Sequence, residues 1–92
     1  MITHIVLFKM EPDAAAEARD RLNALAGKVP SLRSMKAGVD ILHTERSYDL
    51  AVLATFDDRA GLEAYVEHPD HQLVVAFIRE RATASAAVDY ES

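Results

Sequence analysis

The sequence predicts an α+β fold in the order β-α-β-β-α-β, with one four-stranded antiparallel sheet and its helices on a single face. Three observations carry this reading. Stretches 2–10, 32–42, 48–56 and 84–90 are rich in β-branched, aromatic or small apolar residues with the two-residue alternation of strands. Between the first two, and again between the last two, apolar residues recur at helical spacing behind a proline. Finally, the strands are apolar on both faces. One layer of helices covers one face, so a second copy of the chain is expected against the other.

The elements follow in order. In the first strand Ile2, His4, Val6, Phe8 and Met10 share one face, and Thr3, Ile5, Leu7 and Lys9 the other. Glu11-Pro12-Asp13 opens a helix expected from Asp13 to Val29, with Ala18, Leu22, Leu25 and Val29 as its apolar stripe and Glu17–Arg21 as a pair on its wet side. Pro30 is expected to end it. Residues 32–42 predict an irregular strand with a bulge at Gly38, and His43–Ser47 a polar hairpin loop. Tyr48–Phe56 is the clearest strand: Tyr48, Leu50, Val52, Ala54 and Phe56 face one way, Ala51, Leu53 and Thr55 the other. Asp57 or Asp58 caps a short helix carrying Leu62, Tyr65 and Val66. His68-Pro69 breaks it, and Pro69 starts a longer helix reaching about Thr83. This order is the ferredoxin-like plan. With Ile5, Leu7, Ala51 and Leu53 making the outer face greasy, it predicts two sheets packed face to face, a homodimer of barrel form.

Composition narrows the function. Ninety-two residues predict a single domain spanning 1–92, and 50% hydrophobic residues predict a packed core. A net charge of −5 without a basic run argues against nucleic acid and against anionic membrane. No cysteine is present, which excludes disulfide and thiolate chemistry and fits a reducing interior. Ile5-Val6-Leu7-Phe8 is too short to span a bilayer and lacks the flanks of a signal peptide. The expectation is a soluble cytoplasmic protein.

Chemistry concentrates in Tyr65-Val66-Glu67-His68-Pro69-Asp70-His71. With Pro69 first in its helix, His71 shares a face with Val74, Val75 and Ile78 and points inward, as does Tyr65 on the preceding helix. A neutral imidazole at a helix N-terminus suits a general base, and a neighbouring phenol suits donation to a developing enolate or carbonyl oxygen. The pair fits proton abstraction beside a carbonyl, with no cofactor and no metal. The competing reading makes His71 a core histidine that satisfies a backbone carbonyl, with Tyr65 a core ring. His68 reads as a turn residue, and His4 as either a core or a pocket-lining histidine.

His4-Ile5-Val6-Leu7-Phe8-Lys9, Tyr48-Asp49-Leu50-Ala51 with Phe56, Tyr65-x-x-His68-Pro69-x-His71 and Val88-Asp89-Tyr90 together resemble the stress-responsive dimeric α/β-barrel (Dabb) family over essentially the whole chain. The resemblance implies a ferredoxin-like homodimer with a shared barrel. Its best understood member, olivetolic acid cyclase, performs a cofactor-free aldol cyclisation. That comparison implies His71 as base and Tyr65 as its partner, with His4 and Asp89 lining the cavity. Leu22 and Leu50 stand where the cyclase has a pocket tyrosine and a histidine, and the first helix carries small residues such as Ala24 and Ala26. The expected pocket is small and apolar, lined by His4, Val6, Phe8, Leu22, Leu50, Val52 and Asp89. Two alternatives stand beside a proton-transfer or cyclisation enzyme: a non-catalytic, stress-related ligand-binding dimer, and a cofactor-free monooxygenase.

Overall fold

In the computed structural model, which describes residues 1–92, the chain folds as β1 (Ile2–Lys9), α1 (Pro12–Asn23), β2 (Leu32–Val39), β3 (Leu50–Phe56), α2 (Arg59–Glu67), α3 (Pro69–Arg81) and β4 (Ala84–Glu91). The strands form one antiparallel sheet in the order β2-β3-β1-β4. This is the expected ferredoxin-like plan, with its second helical region in two pieces.

Register decides which side chains meet. His4 lies opposite Ala54 on one side and Asp89 on the other, and Val6 opposite Val52 and Ala87. Because Val52, Ala54 and Phe56 are buried at 3%, 0% and 0% exposure, this is the face under the helices. Ile2, His4, Val6 and Phe8 therefore face the helices, whereas Ile5, Leu7, Ala51, Leu53, Ala86, Val88 and Tyr90 face away. Leu53, Val88 and Tyr90 stand 44%, 53% and 46% exposed on that outer face.

The core sits between α1, the helical pair and the middle of the sheet, around the fully buried Phe56, Tyr65 and Leu50. Phe77 joins α3 to α1, with the guanidinium groups of Arg21 and Arg81 at 4.1 and 3.9 Å from its ring centre. The end of β1 is tied to the start of β3 by Asp49, whose carboxylate accepts from Met10 N at 2.9 Å while its own N–H donates to Phe8 O at 2.8 Å.

Five expectations are corrected. The first helix stops at Asn23 rather than Val29. Asn23 instead bonds the backbone of β2, accepting from Ala37 N at 2.9 Å and donating to Ala37 O at 3.2 Å. Tight turns with i to i+3 bonds then follow to Gly27 at φ 83. Leu25 and Val29 still reach the core, so the apolar stripe holds although the helix does not. The bulge lies between Leu32 and Ser34, while Gly38 pairs regularly with Ala51. Leu32 and Met35 are three residues apart and share a face only if one residue is looped out. That residue is Arg33, which pairs with Asp57 through bonds of 3.0 and 2.7 Å. Ile41 and Leu42 lie outside β2 and are 83% and 73% exposed. The third strand begins at Leu50, after Tyr48, and α3 ends at Arg81.

Candidate functional site

Local signals position the central pair. Asp58 caps α2 by accepting from Gly61 N at 2.9 Å, which sets Leu62 and Tyr65 toward the sheet. His68 is the sole residue between α2 and α3. Its extended backbone (φ −64, ψ 135) is what a residue before proline adopts, and its Nδ1 accepts from Asp70 N at 3.1 Å. It is therefore the turn residue the sequence indicates, capping α3 with its side chain.

The first turn of α3 reaches back to α2. Val66 O, one of the carbonyls left over at the α2 terminus, accepts from His71 Nδ1 at 3.1 Å and from Gln72 Nε2 at 2.8 Å. A carbonyl only accepts, so the proton of neutral His71 resides on Nδ1 and Nε2 keeps its lone pair. Burial lowers the His71 pKa below its ordinary value; the Val66 bond opposes this, while His4, Arg79 and His68 add smaller depressions. The imidazole is thus a neutral base at pH 7.

Tyr65 packs against it with ring centres 4.1 Å apart, and touches Phe56 at 5.1 Å and His4 at 6.1 Å. Burial pushes the Tyr65 pKa up to about 12, so the phenol keeps its proton. Ser31 Oγ is the sole buried side-chain polar atom without a partner. The Tyr65 hydroxyl likewise makes no hydrogen bond within the chain, on a residue 1% exposed. On the facing strands His4 Nδ1 is paired with the Asp89 carboxylate across the β1–β4 register. His4, Tyr65 and His71 thus form a row of rings with Asp89 behind it.

A hollow of about 450 Å³ opens beside the row, between the C-terminal half of α3 and the start of β4, bounded by Phe8, Val75, Ile78, Arg79, Ala84 and Ser85; none of the three rings lines it. Val75 and Arg79 follow His71 at i+4 and i+8, so all three lie on one stripe of α3. A separate hollow beyond His4 is lined by Ile2, Arg59, Leu62, Asp89, Tyr90 and Glu91. No group of three or more His, Cys, Asp or Glu side chains is placed to hold a metal ion.

Residues 2–92 match the family described as the stress responsive A/B barrel domain, Dabb. The chain belongs to this family.

It is 39% identical to the uncharacterized protein SCO4036 of Streptomyces coelicolor over 98 residues, covering 99% of both chains. Two dimeric proteins of ferredoxin-like fold superpose on it. That from Thermobifida fusca is 32% identical with a TM-score of 0.87, covering 99% of this chain and 90% of the other. That from Bacteroides fragilis is 25% identical with a TM-score of 0.88, covering 99% and 95%. A hydroxynitrile lyase from Passiflora edulis shares the fold at 14% identity and a TM-score of 0.81, covering 97% and 90%. No helix of this Dabb chain is long and apolar enough to cross a membrane.

Of the residues expected at the site, the fold brings together His71, Tyr65, His4 and Asp89, while Phe8 borders the neighbouring hollow and Val6, on the same sheet face, packs against the core. Leu22, Leu50 and Val52 were expected on the same wall and are not there. At 3%, 1% and 3% exposure they belong to the core, because α1 lies directly on β2 and β3 and leaves no space above them. A hollow opens instead at the far edge of the sheet, against the start of β4. Arg79 and Ser85 were not among the expected lining residues, and Val75 was expected only as part of the inward face that His71 shares. For Val75 and Arg79 the signal was the i+4, i+8 continuation of the His71 stripe. For Ser85 it was the alternation of β4, which sets Ser85, Ala87 and Asp89 on one face.

Proposed function

We propose that this Dabb protein is a cytoplasmic homodimer joined through the outer sheet face, whose helix-side groove binds a small carbonyl-containing metabolite. In this reading it moves a proton next to the carbonyl without a cofactor. His71 Nε2 takes the proton, and the Tyr65 hydroxyl donates a hydrogen bond to the oxygen on which charge develops. Val6 and Phe8 support the apolar part of the ligand. His4, held by Asp89, supports the far side of Tyr65. The observation that carries this reading is the His71 tautomer: Val66 O occupies Nδ1, and the free nitrogen belongs to a depressed-pKa imidazole packed at a tilt against an unpartnered phenol. Aldol-type cyclisation is the preferred reaction, since it begins with such a proton abstraction.

A second reading is favoured by the same hydrogen bond. Together with Gln72, His71 braces the α2–α3 junction, which is what a non-catalytic ligand-binding dimer would need. Solvent deuterium exchange into the carbon between the carbonyls of a 3-oxoacyl thioester separates the two. The catalytic reading expects exchange accelerated by the wild-type protein. The lowered His71 pKa puts the acid limb of its rate profile below pH 6.5. His71→Ala should slow exchange by about 100-fold or more. Unchanged exchange in that variant would remove the base assignment. No exchange with the wild type, together with a lowered Tm for the variant, would leave the brace.

A further inference from the structure

The two hollows that flank the ring row differ in charge. The lining of the one beyond His4 includes Asp89 and Glu91, and the arginine there, Arg59, already faces Glu63 at 3.4 Å. In the one beside α3, whose wall continues the stripe of His71, no carboxylate is present, and Arg79 contributes a guanidinium with no carboxylate within 4.0 Å. Every other arginine except Arg46 has such a partner, in a chain whose net charge is −5. Glu80, next to Arg79 in sequence, is engaged by Arg81 at 3.2 Å. Ser85, across the groove, has a hydroxyl that makes no hydrogen bond within the chain. Between these polar groups the walls are Phe8, Val75, Ile78 and Ala82.

From this polarity we infer that the ligand is a monocarboxylic acid with an apolar body, its carboxylate held by Arg79 and Ser85 and its other end at His71. This rests on the groove being the binding site proposed above. A guanidinium offers a carboxylate two parallel donors, and the serine hydroxyl supplies a third. A phosphate would carry a further charge that nothing on this wall neutralises. Placement of Arg79 on a helix's last turn suits the dipole but leaves its missing carboxylate partner unexplained. The rise of an α-helix puts residues 71 and 79 about 12 Å apart along the axis, so the body between carboxylate and reacting carbon is several bonds long. Orientation follows from charge: the acidic lining near His4 repels the carboxylate, which leaves the neutral carbonyl end to Tyr65 and His71.

The probes are 4-phenylbutyrate and 4-phenyl-1-butanol, which share a body and differ in charge. Their binding to wild type and Arg79→Gln is measured by calorimetry and by amide chemical shifts at Val75 and Ser85. The acid should bind wild type about tenfold more tightly than the alcohol, the effect of one charge-assisted contact. Arg79→Gln should erase that preference, leaving alcohol binding and Tm unchanged. Equal affinity of the two probes for wild type, with shifts at both amides, would overturn the carboxylate end and keep the groove. A preference that survives Arg79→Gln would overturn the role of Arg79. Absence of shifts with either probe would overturn the groove reading as well.

Discussion

Strands β3 and β4 flank β1 on its two sides with the same antiparallel pairing, yet their fates are opposite. Leu50, Val52, Ala54 and Phe56 of β3 are sealed under the helices, whereas every residue of β4 is exposed. The difference lies in what stands above each. α1 lies against β2 and β3, with α2 also packed on β3, whereas the small side chains Ala84 and Ser85 leave a hollow between β4 and α3. β3 thus stabilises the fold, and β4 supplies surface: a groove wall on one face and, with Ala86, Val88 and Tyr90, part of the proposed dimer contact on the other.

Three substitutions probe this contrast. Phe56→Ala, in the sealed strand, should cost about 3–5 kcal/mol of stability, read by urea unfolding with an unchanged m-value. A much smaller loss would mean that the β3 side is not the tighter half. Val88→Asp, on the outer face of β4, should convert dimer to monomer at micromolar concentration in sedimentation while the circular dichroism stays native. In a symmetric dimer such a substitution enters the contact from both protomers. A persisting dimer would move the contact off this face. Ala84→Leu, at the border of the hollow, should shift stability by no more than about 0.5 kcal/mol because the site is exposed. It should nonetheless weaken binding of an apolar ligand by filling its space. Severe destabilisation would show that β4 is packed more like β3 than its exposure indicates.

The same contrast explains what the sequence made legible. Helical and strand periodicity were enough for the order of elements, the two-faced strands and the inward direction of Tyr65 and His71, because each depends on neighbours a few residues away. The end of α1 was not legible. Leu25 and Val29 continue the stripe, and only the pairing of Asn23 with Ala37, distant in sequence, reveals that the chain has left the helix. The bulge was partly legible: Leu32 and Met35 carry the phase shift, but a glycine drew the assignment to residue 38. Leu22, Leu50 and Val52 show the limit for the site. An inward apolar residue lines a pocket or fills a core according to whether a helix lies over it, and that is a tertiary fact. Arg79 illustrates the converse, since a charged residue near a helix C-terminus reads as solvated until its lack of a carboxylate partner and its place in the groove are seen.

His68 both closes α2 and opens α3, leaving no further residue between the two helices. Their crossing is therefore fixed by the chain itself, and so is the approach of Tyr65 to His71. Seven consecutive residues carry both members of the pair and the carbonyl that orients the imidazole. The surroundings are then free to vary: substitutions along β1, β4 or the outer end of α3 reshape the hollows beside the pair while the spacing of the two rings stays as it is. The pair behaves as a cassette, and its surroundings are set elsewhere in the chain.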